Sequence, residues 1–119
     1  SILFLVVTGC GTVQTEKNGS GPVYTESGVA SFYGDKHQNQ KTANGEVYQH
    51  NLKTAAHKEI PFGSNVKVTN LDNGKSVIVK INDRGPYING RIIDLSKSAF
   101  SSIGDPSSGL ISVNIEMVQ

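Results

Sequence analysis

The sequence predicts a mainly β domain in which many short strands surround one small helix and close into a barrel. Glycine is abundant, with 13 residues in a chain of 119, and Trp is absent. Several segments alternate apolar and polar residues as half-buried strands do, whereas one stretch alone has helical character. Closure into a barrel is expected because it removes the exposed edges of short strands. At 36% hydrophobic residues, the chain can form one compact domain with one core.

The first ten residues, SILFLVVTGC, form an apolar run that ends in Cys10, the single cysteine of the chain. A spanning helix takes about 20 apolar residues, so this run fits the apolar region of a secretory signal instead. Because the first residue is Ser, we expect an initiator Met and a basic region to precede it. Val7-Thr8-Gly9-Cys10 resembles the lipobox of bacterial lipoproteins, in which the Cys is acylated. Residues 1–10 are therefore predicted to be a lipoprotein signal, the alternative being a buried strand with a free thiol.

Residues 11–27, GTVQTEKNGSGPVYTES, are polar and rich in Gly, Ser and Thr. They show neither a strand nor a helix period, so we predict a flexible tether. Gly11 follows the cysteine in place of Asp, which is compatible with sorting to the outer membrane of diderm bacteria. We therefore expect an outer-membrane lipoprotein of the bacterial envelope that faces the periplasm and is held in lipid through acylated Cys10.

The barrel domain is predicted over residues 28–119. Alternation marks its clearest strands, as with Val66 and Val68 in SNVKVTNL, and the DNG at 72–74 is a hairpin turn signal. Residues 35–51 are polar and rich in turn formers, which is typical of a functional loop, and residues 52–63 mix apolar pieces with a Pro-Phe-Gly turn. The predicted strands are 28–34, 64–71, 75–83, 91–95 and 110–118, and the predicted helix is 96–104, ended by Gly104.

The stretch INDRGPYINGRIIDLS places Asp83 and Arg84 in a Gly-Pro turn at the end of an apolar strand. Asp83 shares its alternation phase with Val79 and Ile81, so its side chain is predicted on the core-facing side and Arg84 on the other. A carboxyl group at the end of an apolar face loses solvation, which favours the protonated form that a general acid needs. The alternative is that Asp83 shapes the turn by accepting backbone N–H bonds.

Further candidates lie in the polar loop and in TAAHK. Glu46 follows TANG, and a second carboxylate near the first is the recurring requirement of glycoside cleavage. His57 is a candidate to orient a carboxylate or to contact substrate. The alternatives are a solvated carboxylate for Glu46 and a structural histidine for His57. Asp94 is interpreted as a helix cap or as a partner for a nearby backbone N–H.

Other functions fit the sequence poorly. The formal net charge is +1 and the basic residues are scattered, which argues against nucleic acid as a partner. No Gly-x-Ser-x-Gly elbow or phosphate loop is present. His37, His50 and His57 lack the i, i+4 or knuckle spacing of metal ligands, so neither a metal nor another cofactor is expected.

Taken together, GVASFYG, KTANGEVY, LKTAAHKEIPFGSNVKVTNLDNGKSVIVKINDRGPY and GRIIDLSKSAF closely resemble the rare lipoprotein A family over residues 28 to about 118. The resemblance implies a six-stranded double-psi β-barrel with one or two short helices, a fold shared with expansins and some endoglucanases. It also implies a lytic transglycosylase that acts on peptidoglycan glycan strands, preferring strands stripped of stem peptides.

The family's catalytic acid falls on Asp83, its second essential carboxylate on Glu46 and its essential histidine on His57. The resemblance implies that Asp83 protonates the oxygen between N-acetylmuramic acid (MurNAc) and N-acetylglucosamine (GlcNAc). The C6 hydroxyl of MurNAc then attacks its own anomeric carbon with help from Glu46, giving a 1,6-anhydro end. The sequence leaves open which carboxylate is the acid. Candidate groove residues are Asn44, Tyr33, Asn82, Arg84 and Tyr87.

Two other functions remain open at this point. The barrel is alternatively a non-catalytic peptidoglycan-binding module that uses the same groove, or a structural envelope lipoprotein whose protein partner contacts the barrel or the tether. Many family members carry a C-terminal SPOR domain that binds denuded glycan and directs them to the septum. The sequence ends at Gln119 without one, so the resemblance does not extend to septal targeting. Two carboxylates and a histidine present together favour the enzyme.

Overall fold

Six strands close into a barrel in the computed structural model, which describes residues 24–118. The strands are β1 (Thr25–Phe32), β2 (Thr54–Ala56), β3 (Asn65–Asn70), β4 (Ser76–Asp83), β5 (Arg91–Leu95) and β6 (Ile111–Val118), and the helix is α1 (Lys97–Ile103). Two 3-10 turns cover Asp35–His37 and Pro106–Ser108. The strand order around the barrel is β1-β5-β2-β4-β3-β6, with β1–β5 and β2–β4 parallel and the other pairs antiparallel.

The core forms because the alternating apolar residues of neighbouring strands face the same interior. Val66 of β3 lies opposite Val79 of β4, and both are fully buried. Helix α1 begins at Ser96, whose Oγ accepts a hydrogen bond from the Ala99 N–H, and it packs Phe100 into the same core. Burial of such a side chain contributes about 1.5–3 kcal/mol relative to its exposure. The hydrophobic pattern therefore determines which face of each strand points inward.

The predicted closed barrel is confirmed, as are the strands within 64–71, 75–83, 91–95 and 110–118 and the helix within 96–104. Strand β2 was missed because its three residues are all buried and show no alternation. The first strand begins at Thr25 and not at residue 28, since Thr25 and Glu26 pair with β6. Residues 25–27 therefore belong to the barrel and not to the tether. The predicted lipoprotein signal, Cys10 and residues 11–23 lie outside the described residues.

A β-bulge interrupts β4 where the sequence predicted unbroken alternation. Ala55 of β2 pairs with Ile81, but Ala56 pairs with Asp83, so Asn82 is the extra residue. Asn82 is 2% exposed, whereas Asp83 is only partly buried. A bulge bends its strand and redirects the side chains beside it. The prediction that Asp83 continues the core-facing phase of Val79 and Ile81 is therefore wrong: it turns out of the core.

Gly28 provides a test of the packing between β1 and β5. A Cβ at this position would lie 2.6 Å from Ile92 Cγ2 and 3.3 Å from the Gly90 carbonyl oxygen. We expect Gly28→Ala to lower the free energy of unfolding by about 1–3 kcal/mol, the usual cost of overpacking. Urea unfolding followed by circular dichroism measures the change.

Gly34→Ala is the matched control, because Gly34 has φ −80° and a Cβ added there would meet no atom within 4 Å. Its free energy of unfolding should stay constant or rise by up to about 1 kcal/mol. Equal unfolding midpoints for Gly28→Ala and wild type would contradict the close approach of β1 and β5.

Candidate active site

Three hydrogen-bond donors surround the carboxylate of Asp83. The Tyr33 hydroxyl donates to Oδ2 at 2.6 Å, while the Ala43 and Arg84 amides donate to Oδ1 at 2.8 and 2.9 Å. Burial, and next the hydrogen bond to Asp83, raise the pKa of Tyr33 far above its ordinary value. Tyr33 therefore keeps its proton and acts as a fixed donor to Asp83.

Asp83 lines a pocket of about 320 Å³. This volume lies at the lower end of the usual range for small-ligand sites. The polar and aromatic lining residues are Phe32, Tyr33, His37, Asp83, Arg84, Tyr87, Arg91 and Asp94. Tyr87 is 76% exposed at the rim, where its ring face is available to a ligand. The pocket thus combines flat apolar surfaces with charged groups, as a site for a sugar ring requires.

The wall behind Asp83 is formed by stacked aromatic rings. Tyr33 and Tyr48 stack with their centroids 4.3 Å apart and an interplanar angle of 15°. The buried Tyr48 hydroxyl lies 2.8 Å from His50 Nδ1 and accepts a hydrogen bond from the Lys97 amide at 3.1 Å. His50 Nε2 lies 2.9 Å from Asp35 Oδ1. The predicted loop at 35–51 therefore supports the pocket through contacts with α1.

Glu46 is exposed and is held at the bulge by Asn82. Asn82 Nδ2 donates to Glu46 Oε1 at 3.1 Å, and the Asn82 carbonyl oxygen accepts from the Asn44 amide at 3.2 Å. The hydrogen bonds from Asn82 and then Asn44 lower the pKa of Glu46, so its carboxylate is ionised at neutral pH. Ala43 of the same loop binds Asp83. Glu46 is thus hydrogen-bonded to Asn82, and Asp83, the next residue of β4, is hydrogen-bonded to Ala43 of the loop that carries Glu46. Glu46 itself does not line the pocket.

The His57 main chain contacts Asp83, but the His57 ring lies outside the pocket. The ring is 2% exposed and does not line the pocket. Its Nδ1 accepts from the Glu59 and Ile60 amides at 3.0 and 3.1 Å, and its Nε2 lies 2.9 Å from Glu26 Oε1. The His57 amide donates to the Asp83 carbonyl oxygen at 3.2 Å. The ring nitrogens therefore contact neither predicted carboxylate.

The predicted groove residues divide into two groups. Tyr33 and Tyr87 line the pocket as expected. Buried Asn82 positions Glu46 and does not face a groove. The Asn44 side chain is turned into its own loop, where its Oδ1 accepts from Thr42 Oγ1 and the Glu46 amide.

Arg84 lines the pocket but is also anchored behind it. Its Nη1 donates to the carbonyl oxygens of Ile60 at 2.9 Å and His57 at 3.2 Å. Its guanidinium carbon lies 4.0 Å above the centroid of the Phe62 ring. Arg84 therefore fastens residues 57–62 to the end of β4, in addition to its predicted place in the groove.

Sequence reasoning missed the Arg91–Asp94 ion pair. Arg91 Nη2 lies 2.6 Å from Asp94 Oδ1, both side chains are 22% exposed, and both line the pocket. The predicted helix-cap role of Asp94 is wrong, since Ser96 is the N-cap. Two strand residues three apart normally face opposite sides, but the register shift at Val29/Ala30 leaves Ile92 as an extra residue in β5. Because this shift depends on the partner strand, RIIDL alone carries no signal for the ion pair.

Neither a metal centre nor a membrane span is found in the described part of the chain. Within residues 24–118, no group of three or more His, Cys, Asp or Glu side chains is placed to hold a metal ion. In the same range, no helix has the length and apolar character needed to cross a bilayer.

A closed six-stranded barrel of this strand order is a double-psi β-barrel, and its candidate site is the pocket lined by Asp83. Residues 25–115 match the family described as lytic transglycolase. The chain belongs to this family, that of the rare lipoprotein A proteins.

Relatives named endolytic peptidoglycan transglycosylase RlpA share about half of their aligned residues with this chain. The protein of Pasteurella multocida is 53% identical over 106 residues, which cover 89% of this chain and 35% of the relative. That of Vibrio cholerae is 54% identical over 95 residues, covering 80% of this chain and 36% of the relative. The chain thus spans about a third of the length of these curated relatives.

Solved structures support the fold. The Streptomyces papain inhibitor has a TM-score of 0.66 at 21% identity, covering 81% of this chain and 96% of that one. An expansin of Clavibacter michiganensis, in complex with cellohexaose, has a TM-score of 0.63 at 22% identity, covering 81% of this chain and 51% of that one. At these identities the likeness concerns the barrel alone.

The link between Asn82 and Glu46 gives a testable prediction. Removing the amide in Asn82→Ala should raise the pKa of Glu46 towards its ordinary value, because the largest stabilising contact of its ionised form is lost. NMR titration of the Glu46 side-chain carboxyl carbon measures this change. Lys80→Ala is the control, since Lys80 acts on Glu46 through charge alone and more weakly. An unchanged titration of Glu46 in Asn82→Ala would contradict the described link.

Proposed function

We propose that this protein is an endolytic peptidoglycan transglycosylase that cleaves the β-1,4 bond between MurNAc and GlcNAc and leaves 1,6-anhydro-MurNAc ends. The observation that carries the proposal is the pair of carboxylates, Asp83 and Glu46, fixed in unlike environments at one bulge. Asp83 lines the pocket, and Glu46 is exposed to solvent. Family membership and the names of the relatives agree with this activity.

The two environments suggest separate roles for the carboxylates. We assign Asp83 as the acid that gives a proton to the glycosidic oxygen as the C1–O4 bond breaks. The three donors around Asp83 then stabilise the carboxylate that forms, and they are in place before the reaction. Preorganised donors of this kind lower the barrier because nothing must reorient as charge develops.

Glu46 is assigned as the base that accepts the proton of the MurNAc C6 hydroxyl. Its lowered pKa keeps it ionised at neutral pH, as a base must be before the reaction. The C6 oxygen forms its bond to C1 of the same ring, so the nucleophile is already part of the substrate and has a high effective concentration. Solvent returns the proton from Glu46 to Asp83 after product release.

We further propose a preference for glycan stripped of stem peptides. Peptide removal leaves a free lactyl carboxylate on MurNAc, and the pocket contains the guanidinium groups of Arg84 and Arg91. Arginine recognises carboxylates well because its planar donors match the two oxygens. The proposed preference rests on a contact between the lactyl carboxylate and one of these two arginines.

Digestion of amidase-treated peptidoglycan tests the activity. We expect wild type to release anhydro-ended fragments, identified by mass spectrometry, and both Asp83→Asn and Glu46→Gln to lower the rate by about 100-fold or more, as loss of a general acid or base does. Asp72→Asn is the matched control, because Asp72 is an exposed carboxylate in the turn between β3 and β4, at the opposite end of β4 from Asp83.

The same experiment separates catalysis from binding alone. If wild type releases no fragments but sediments with the glycan, the activity is wrong and the non-catalytic binding module takes its place. If Asp83→Asn retains the wild-type rate, the assignment of the acid is wrong even though cleavage occurs.

We also propose that the protein is an outer-membrane lipoprotein facing the periplasm, acylated on Cys10. The support is the apolar run before Val7-Thr8-Gly9-Cys10 and the Gly that follows it. We expect the complete precursor, expressed in a diderm bacterium, to incorporate labelled palmitate and to fractionate with the outer membrane. Cys10→Ser should abolish labelling, with Thr8→Ser as the control. Equal labelling of Cys10→Ser and wild type would overturn this proposal.

A further inference from the structure

The surroundings of the His57 ring define one tautomer. Its Nδ1 faces two main-chain donors, the amides of Glu59 and Ile60, at 3.0 and 3.1 Å. A proton on Nδ1 would be directed at these N–H groups, so Nδ1 must be the acceptor. Nε2 then carries the proton of the neutral ring and donates it to Glu26 Oε1 at 2.9 Å. Both nitrogens of a ring that is 2% exposed are therefore occupied.

Glu26 is an ionised carboxylate that accepts the hydrogen bond from His57 Nε2. Burial acts to raise its pKa, but hydrogen bonds from His57 and Tyr24 outweigh burial and bring the pKa below its ordinary value. The Tyr24 hydroxyl donates to the same Oε1 at 2.7 Å, and the Tyr24 ring packs edge-on to the imidazole with centroids 5.8 Å apart. Burial and then Glu26 raise the pKa of Tyr24 to about 12, so Tyr24 remains a donor.

The segment that His57 holds is the same segment that holds the end of β4. Residues 57–60 bind the ring through their amides, and their carbonyl oxygens at His57 and Ile60 accept from Arg84 Nη1. The His57 amide donates to the Asp83 carbonyl oxygen. Release of the ring would therefore loosen the main chain at Asp83 and the guanidinium group beside it.

We propose that Glu26 is a positioning residue, which holds the His57 ring through Nε2 and thereby holds residues 57–60 against Asp83 and Arg84. His57 acts through its main chain and its ring contacts, and it neither gives nor takes a proton from the glycan. The expected effect on cleavage rests on the proposed function, whereas the tautomer and the order of residues 57–60 do not. No signal in the sequence near His57 points to this partner, which lies 31 residues earlier in β1.

Two substitutions of Glu26 in the full chain test the proposal. Glu26→Gln keeps an oxygen acceptor for the Nε2 proton, whereas Glu26→Leu removes it. Glu59→Gln is the control, because it removes a neighbouring charge on the same segment without touching the ring. Nitrogen-15 NMR reads the His57 tautomer, hydrogen exchange reads the Ile60 amide, and the cleavage assay gives kcat and KM.

We expect wild type, Glu26→Gln and Glu59→Gln to show a protonated Nε2 and an unprotonated Nδ1. In Glu26→Leu the Ile60 amide should exchange at least about tenfold faster, and kcat should fall about tenfold or more with KM little changed. Small displacements of reacting groups have effects of this size. Recovery of kcat in Glu26→Gln relative to Glu26→Leu separates positioning from a loss of fold, which thermal unfolding monitors directly.

The outcomes distinguish this inference from the proposed function. If wild type yields no anhydro product, the proposed function fails and the NMR and exchange results decide the inference. A wild-type His57 with its proton on Nδ1 would overturn the inference, as would unchanged Ile60 exchange in Glu26→Leu. If Glu26→Leu does not fold, Glu26→Ala replaces it as the variant without an acceptor: faster Ile60 exchange than in Glu59→Gln supports the link, and equal exchange overturns it.

Discussion

One extra residue in β4 determines the geometry of the candidate site. The register shift between β2 and β4 leaves Asn82 without a paired residue in β2. Asn82 and the next residue, Asp83, both contribute to the candidate site. The buried Asn82 side chain donates a hydrogen bond to Glu46. The Asp83 carboxylate lies in the pocket and accepts hydrogen bonds from Tyr33 and Ala43. Without the bulge, the alternation that runs through Val79 and Ile81 would place Asn82 on the outer face of the barrel wall and Asp83 on the core side. The loop that carries Glu46 and the strand that carries Asp83 would then lose their common support.

The electrostatics of the site follow from the same arrangement. Glu46 is ionised because amide donors stabilise its charge in a solvent-exposed position. Asp83 lies in a pocket that also holds Asp94 and the guanidinium groups of Arg84 and Arg91, so charges of both signs are balanced there. Arg84 and Arg91 are themselves held, the first by carbonyl oxygens and the second by Asp94. Fixed partners keep these groups in place before a substrate arrives, which reduces the reorganisation that binding and reaction require.

Much of the fold was predictable because half-buried strands alternate apolar and polar residues along the sequence, as with Val66 and Val68 in β3. Strand β2 was not, since three buried residues carry no alternation. The bulges at Asn82 and Ile92 were not predictable either, because a register shift depends on the partner strand. For the site, Asp83 and Glu46 were predicted from the sequence, but the hydrogen bonds that hold them were not. Glu26 and His57 meet across 31 residues, and only the closed barrel brings them together.

In the proposed mechanism, two fixed carboxylates let a substrate hydroxyl, and not water, displace the leaving sugar. Cleavage of peptide-stripped glycan in isotopically labelled water separates these two nucleophiles. We expect 1,6-anhydro ends that contain no oxygen from solvent, because the new C1–O bond uses the C6 oxygen of MurNAc. Reducing ends that carry the solvent label would instead indicate hydrolysis by a water activated between the two carboxylates, and the mechanism would be wrong.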